Sequence, residues 1–318
     1  MTVATHIGIV WNPSKTTREV LERAVEEAAR RAGAEPELGW FETDQDDPGR
    51  GAARAAIDEG AAVLVAAGGD GTVRAVAEEL AESGADAALA IAPLGTGNLL
   101  ARNLDVPIDD LAGAFERAIT GEGRPIDLGW AELEVEGESL RRAFAVMAGF
   151  GIDAHMITET DDDLKERAGW LAYVESLGRA VSASGTIGIE LSENGGEARP
   201  LEAHTVIVGN CGVLQGGITL LPDADPFDGE LDLLVLDAEG LGGWLDTMRN
   251  FMWDNGLKRL LSRGQADEAA SSGSVTHRRV GRLDMVLSEP RVFEVDGDDL
   301  GETSRIAITV QRAALRVR

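Results

Sequence analysis

The sequence has a single cysteine, Cys211, among 318 residues, so no disulfide can form within the chain and no cysteine-built zinc site is available. Its four histidines are scattered and form no ligand cluster. Positive charge is scarce. The 29 basic residues, nearly all arginine, stand against 56 acidic ones, for a net charge of -27. Contacts to a phosphate backbone need lysine and arginine patches, so this balance excludes nucleic acid as a partner. The chain lacks a run of about 18 apolar residues that could cross a bilayer as a helix. It also lacks a basic and apolar leader with a cleavage site. A cytoplasmic protein is expected. Neither a G-x-x-x-x-G-K-[ST] sequence nor a G-x-S-x-G elbow occurs, which excludes a P-loop kinase and an α/β-hydrolase.

Hydrophobic residues make up 44% of the chain, ample for a globular core. The first part alternates strand and helix signals. Residues 6–11, 37–42, 62–67 and 87–92 read as strands, and 17–32, 49–59, 73–82 and 109–120 as helices. That order predicts a parallel sheet with helices on both faces. Beyond residue 124 the rhythm changes to strands, at 125–135, 141–148, 186–192, 202–209, 230–237, 283–288, 291–296 and 305–317. Two helical stretches, 161–182 and 241–263, and a low-complexity loop, 264–274, interrupt them. The expected fold is α/β: a Rossmann-like, parallel-sheet nucleotide domain over 1–124 and a β-sandwich over 125–318, with the active site in the cleft between.

Ligands of such sheets sit beyond the carboxyl ends of the strands. Two glycine-rich loops lie at such ends: Gly68-Gly69-Asp70-Gly71-Thr72 and Pro93-Leu94-Gly95-Thr96-Gly97-Asn98. Glycines let backbone N–H groups approach phosphate oxygens, and a helix N-terminus adds partial positive charge. Asp70 would repel phosphate alone, but a Mg²⁺ between them turns it into a bridge. Either loop could be a tight turn and nothing more; two of them, one βα unit apart, point to a nucleotide. The segment Gly149-Phe150-Gly151-Ile152-Asp153-Ala154 also fits a loose dinucleotide fingerprint, but no helix follows at once in its β-rich surroundings.

The pair of loops resembles the diacylglycerol kinase catalytic-domain family, which includes sphingosine kinases and soluble bacterial lipid kinases and is distantly similar to NAD kinases. Asn12-Pro13-Ser14 matches the family's opening element beside the nucleotide, and Ala101-Arg102-Asn103-Leu104 extends the second loop in the lipid-kinase manner. Residues 149–154 match the element that opens the second domain, and Val295-Asp296-Gly297 a late element.

The resemblance implies an ATP- and Mg²⁺-dependent kinase that passes the γ-phosphoryl group to the hydroxyl of diacylglycerol or a related lipid alcohol. It implies that Asn12, Pro13, Ser14, Gly68, Gly69, Asp70, Gly71, Thr72, Gly95, Thr96, Gly97 and Asn98 line the nucleotide. Asp70 and Asp127 would organise metal and phosphates, and Asp296 would be the general base. Asp228, in Phe227-Asp228-Gly229-Glu230-Leu231, would hold a structural Mg²⁺. Each aspartate also reads as a turn or cap, Asp296-Gly297 above all as a hairpin turn. Leu99 and Phe227 stand where the family pattern has acids, and Asp298 where it has glutamate.

A lipid acceptor must be met at a membrane surface. Trp244, Met248, Phe251 and Met252 fall at helical spacing in 241–263, with Arg249, Lys258, Arg259 and Arg263 nearby. Such a stripe lies in a membrane interface or packs on the second domain. Arg167, Trp170 and Tyr173 are further candidates for the acceptor cleft, by resemblance alone. An NAD kinase-like phosphotransferase and a non-catalytic nucleotide- or lipid-binding protein are the alternatives. The oligomeric state is open, a homodimer included.

The acidic residues are spread along the chain rather than gathered into a tail. That distribution is the one expected of a halophilic protein, because the Debye length falls to ~3 Å at 1 M salt and hides the repulsion. The unfolding midpoint should therefore rise between dilute buffer and molar KCl. Cooperative folding in dilute buffer, unchanged by molar salt, would count against this reading.

Overall fold

A computed structural model describes residues 5–151, 185–214, 219–236 and 275–318. The expected helices at 161–182 and 241–263 and the loop at 264–274 lie outside the described residues.

The first unit follows the expected alternation: β1 (His6–Trp11), α1 (Arg18–Ala32), β2 (Glu37–Glu42), α2 (Arg50–Asp58), β3 (Val63–Gly68), α3 (Asp70–Ser83) and β4 (Ala88–Pro93). The four strands are parallel, in the order β4-β3-β1-β2. Strand alternation sends Ile7, Ile9, Val63 and Val65 to one face, where they meet Leu21 and Val25 of α1. It sends Val10, Leu64, Ala66 and Ile91 to the other, against Ala53 and Ala56 of α2 and Val76 and Leu80 of α3. Both faces are thus covered, as an apolar parallel sheet requires. A short helix absent from the sequence reading, α4 (Leu99–Asn103), follows the second glycine loop, and α5 (Leu111–Thr120) completes the layer. Asp110 caps α5 by accepting the Gly113 N–H at 2.9 Å.

The second unit is a β-sandwich. Its strands are β5 (Arg124–Val135), β6 (Glu138–Phe144), β7 (Met147–Phe150), β8 (Ile187–Glu193), β9 (Arg199–Ala203), β10 (Thr205–Gly209), β11 (Leu231–Leu236), β12 (Val275–Val280), β13 (Arg282–Val295) and β14 (Asp298–Val317). Phe144, Phe150, Phe293, Leu283 and Ile308 are among its core residues.

Four details differ from the sequence reading. The strand expected at 141–148 is two, β6 and β7, because the N–H groups of Ala145 and Val146 leave the ladder to bind the Asp296 carboxylate. The strand expected at 202–209 breaks at His204 into β9 and β10. The strands expected at 283–288 and 291–296 are one, β13, whose apparent gap is a register irregularity between Val286 and Arg291. β12, whose sequence is dominated by polar residues, was not expected.

The two units share β14. It pairs antiparallel with β13 and β5 and, at Arg316 and Val317, parallel with β4. A register shift between Gln311 and Leu315, with Ala313 at φ 47°, bends it from one sheet into the other.

A second link is polar. Glu78 and Glu79 of α3 are 1% and 2% exposed. Glu78 accepts the Ala143 N–H of β6 at 2.9 Å and meets Arg50 at 2.9 Å and Arg74 at 3.5 Å. Glu79 meets Arg54 at 2.8 Å and Arg50 at 3.3 Å. Arg50 and Arg141 converge on Glu82. A buried charge that loses its partner is costly, on the order of 3–5 kcal/mol. Arg50→Met should therefore lower stability by up to about 3 kcal/mol in denaturant titration, the lower end because Arg54 and Arg74 remain. A loss below about 0.5 kcal/mol, the range of ordinary surface substitutions, would show that these carboxylates do not depend on Arg50.

Candidate active site

Both glycine loops leave the carboxyl ends of neighbouring strands, β3 and β4, and they touch. A side-chain carbon on Gly95 would lie 2.7 Å from the Gly69 Cα, and one on Gly97 would lie 2.7 Å from Asp70 Oδ2. Only glycine permits that approach. The Leu94 N–H donates to the Gly68 carbonyl at 2.9 Å. Asp70, the first residue of α3, accepts the N–H groups of Asn98 at 2.9 Å and Leu99 at 2.6 Å. Asn98 is held in the left-handed region, φ 48°, by a reciprocal pair with Gly95: its Oδ1 accepts the Gly95 N–H at 2.9 Å and its Nδ2 donates to the Gly95 carbonyl at 2.7 Å. Arg102 Nε closes the loop on the Gly97 carbonyl at 2.7 Å.

Asn12 ends β1 on the same side. Its Oδ1 accepts the Ser14 N–H and Oγ–H at 2.9 and 2.7 Å, and its N–H donates to Ala67 of β3 at 3.0 Å. Pro13, Ser14 and Thr96 are exposed, whereas Thr72 is buried under Gly68. The fold thus gathers Asn12 to Ser14, Gly68 to Thr72 and Gly95 to Asn98 at one end of the sheet, the end where α/β folds bind ligands.

The β13–β14 hairpin reaches the same place from the sandwich. Asp296 and Gly297, at φ 48° and 88°, form a two-residue turn between Val295 and Asp298. The Asp-Gly turn and the inward carboxylate coexist. Asp296 is only 8% exposed, and its side chain accepts three backbone N–H groups: Ala145 at 2.8 Å on Oδ2, and Val146 and Met147 at 2.9 Å on Oδ1. Burial pushes its pKa up to about 6; the three N–H donors and the Arg74 charge oppose the rise. Oδ2, with one donor, is the oxygen with spare accepting capacity.

Two residues further on, Asp298 Oδ2 takes Arg74 Nη2 at 2.6 Å and Nε at 3.2 Å. A side-chain carbon on Gly71 would lie 3.7 Å from the same oxygen. Burial raises the pKa of Asp70, and the neighbouring Asp298 charge adds to the rise against the Asn98 and Leu99 donors. A divalent cation held between Asp70 and phosphate oxygens would offset both effects.

Asp127 has a different setting. It is 4% exposed, and its two oxygens accept the Gly229 N–H at 2.6 Å and the Ala313 N–H at 2.7 Å. It therefore clamps the loop before β11 to the bend of β14. Asn210 connects it to the Asp296 pocket, donating from Nδ2 to the carbonyls of Asp127 at 2.9 Å and Ala145 at 3.0 Å.

Asp228 Oδ1 accepts the Glu230 N–H at 2.9 Å, and Arg279 lies 3.9 Å from Oδ2. Close by, Asp232 is buried with Oδ2 unpartnered. Burial first, and then the charges of Asp228, Asp223 and Glu230, push its pKa up to about 6 against Arg279. This acidic donor set, with an orphaned oxygen, suits a hard cation. Among the described residues no three acidic, histidine or cysteine side chains form a ready cage, so backbone carbonyls and water would complete the shell. The Phe227 ring lies 3.2 Å from the Arg124 guanidinium and packs on the core of the first unit.

Sequence reasoning missed Arg74, Glu78 and Asn210. The signal for the first two was present. Asp70, Arg74, Glu78 and Glu82 recur every four residues along α3, and hence share one face. Asn210 carried no such signal. Asp153, Ala154, Arg167, Trp170, Tyr173 and the 241–263 stripe lie outside the described residues.

Comparison with known proteins agrees with this architecture. Residues 6–131 match the family described as diacylglycerol kinase catalytic domain, and residues 146–317 match the YegS C-terminal NAD kinase beta sandwich-like domain. A Pseudomonas aeruginosa protein named "Probable lipid kinase YegS-like" is 33% identical over 300 residues, 93% of this chain and 88% of that one. A protein of the same name from Xanthomonas campestris is 31% identical, covering 98% and 95%. Among solved structures, a diacylglycerol kinase from Bacillus anthracis superposes with a TM-score of 0.69 at 20% identity, covering 100% of this chain and 97% of that one. Yeast NADH kinase superposes with a TM-score of 0.51 at 10% identity, covering 99% and 83%, a likeness of fold. With its two halves matched in order and relatives above 30% identity over nearly its whole length, the chain belongs to the YegS-like lipid kinases, a family that joins a diacylglycerol kinase catalytic domain to an NAD kinase-like β-sandwich.

Proposed function

We propose that this chain is an ATP-dependent lipid kinase, transferring the γ-phosphoryl group to the hydroxyl of diacylglycerol or a related lipid alcohol. The observation that carries the reading is the meeting of two parts: the paired glycine loops, and the buried Asp296 carboxylate on a hairpin whose Asp298 lies against Gly71. In this reading Asn12 to Ser14, Gly68 to Thr72 and Gly95 to Asn98 line the nucleotide, and backbone N–H groups of the two loops receive its phosphates. Mg²⁺ at Asp70 would neutralise the charge that spreads over the transferred group. Asp296 Oδ2 takes the proton of the lipid hydroxyl as it attacks in line. Asp127 acts as the clamp that fixes the pocket around Asn210 rather than at the phosphates. The division into a nucleotide unit, 1–124, and an acceptor unit, 125–318, belongs to the same proposal.

The names of the relatives favour a lipid acceptor over NAD, as does Ala101-Arg102-Asn103-Leu104 after the second loop. Among the described residues no helix is long and apolar enough to cross a membrane. A lipid acceptor would be met at the bilayer surface.

Phosphoryl transfer from labelled ATP to diacylglycerol, ether lipids, sphingosine and NAD, in Mg²⁺ and molar KCl, tests this directly. Asp296→Asn should lower kcat by about 10²–10⁴-fold while ATP still binds. The base works as the anion, so the wild-type rate should climb as pH rises through about 6. Transfer to NAD alone would move the chain to the NAD kinase-like reading. ATP binding without transfer to any acceptor would favour a non-catalytic binder.

Asp228 and Asp232 are the proposed holders of a structural Mg²⁺. Mg²⁺ should then raise the Tm at pH above about 7, and the rise should fade as pH falls through about 6, where folded Asp232 takes up a proton. Asp232→Asn should abolish the Mg²⁺ response and raise the Tm without Mg²⁺. An identical Mg²⁺ response in wild type and variant would exclude Asp232 from the site.

A further inference from the structure

We propose that Arg74 is a positioning residue for phosphoryl transfer: from the first turns of α3 it grips Asp298, and so sets the hairpin that carries Asp296 against the glycine loops. The inference rests on the reading of Asp296 as the base. Its warrant is geometric. Arg74 is one helical turn after Asp70, on the face of α3 that looks toward the sandwich. Its guanidinium presents two nitrogens, Nη2 at 2.6 Å and Nε at 3.2 Å, to the single oxygen Asp298 Oδ2, while Nη1 lies 3.5 Å from Glu78. Glu78 in turn accepts the Ala143 N–H at 2.9 Å. Arg74 is thus held from behind by a buried carboxylate tied to β6, and its side chain is only 10% exposed.

The far end of the link is equally constrained. Asp298 pairs with Val295 across the two-residue turn, so a displacement of Asp298 moves Asp296 and Gly297 with it. The turn is anchored on its other side by the Asp296 contacts to Ala145, Val146 and Met147. Those residues follow β6, the strand that Glu78 holds. Arg74 therefore joins a closed circuit: α3, Asp298, Asp296, the β6–β7 link, Ala143, Glu78 and back to α3. One charge on the nucleotide-side helix fixes where the base stands relative to the phosphate loops, and a misplacement of about 1 Å at such a point can cost on the order of 10²-fold in rate.

The test compares kcat and KM for ATP in wild type, Arg74→Gln, Asp298→Asn and the double variant, well below their unfolding temperatures. Each single variant should lose about 10-fold or more in kcat with KM for ATP changed less than about 2-fold, and the double should be no worse than either single, because one link has been cut twice. Arg74→Lys, which keeps the charge but not the fork, should recover only part of the loss. If Arg74→Gln fails to fold, the half-exposed Asp298→Asn decides alone. Wild-type kcat in Asp298→Asn, additive losses in the double, or full rescue by lysine would each overturn the proposal. If Asp296→Asn is inactive while Asp298→Asn is fully active, the inference falls and the kinase reading stands. If the wild type transfers to no acceptor, that reading falls, and NMR of the Ala145, Val146, Met147 and Gly297 amides decides the link: shifts common to Arg74→Gln and Asp298→Asn support it, and unmoved amides overturn it.

Discussion

A carboxylate withdrawn from water needs donors, and four of those in this protein find them in backbone N–H groups from a different segment of the chain. Asp70 binds the N–H groups that open α4, Asp127 those of Gly229 and Ala313, Asp296 those of Ala145 to Met147, and Glu78 that of Ala143. Each contact joins strands or loops far apart in sequence. A donor left without its acceptor would pay the full cost of desolvation, so these four side chains tie together the segments around the cleft. They also explain why β6 and β7 are separate strands: the ladder is broken where its N–H groups serve Asp296.

Much of this was legible in the sequence. Periodicity gave the parallel sheet and its helices to within a few residues, because buried strands and amphipathic helices carry their burial in their spacing. The two glycine loops were legible because their close approach tolerates no side chain, as Gly95 and Gly97 demonstrate. What stayed hidden depended on distant pairing. No local pattern announces that the Asp127 oxygens belong to Gly229 and Ala313, or that an asparagine at 210 bridges two carbonyls. The five residues of α4 are too few to show a period. The stripe Asp70, Arg74, Glu78, Glu82 was visible, but buried charges on a helix read as a solvated face until their partners are seen.

The scarcity of lysine takes on meaning in the same terms. Arg50, Arg54, Arg74 and Arg141 bind buried or half-buried glutamates and aspartates in shared networks. A planar guanidinium can serve two carboxylates at once, and it is more weakly hydrated than an ammonium group. With few cations for a large negative charge, Arg50 and Arg74 each sit between more than one acid, Arg54 takes both oxygens of Glu79, and Arg141 combines an ion pair with the aromatic face of Trp130. The negative surface and the cation-bound interior are two sides of one composition.

The path of β14 bears on how the protein is made. β4 completes its parallel pairing only with Arg316 and Val317, the last residues of that strand. During synthesis the Ala88 and Leu89 end of the β4 edge therefore lacks its β14 partner until the sandwich has been translated. An open apolar edge invites pairing with other chains. The pairing of β14 with Ala88 and Leu89 of β4 is thus a long-range contact, made only after the chain between them has been translated.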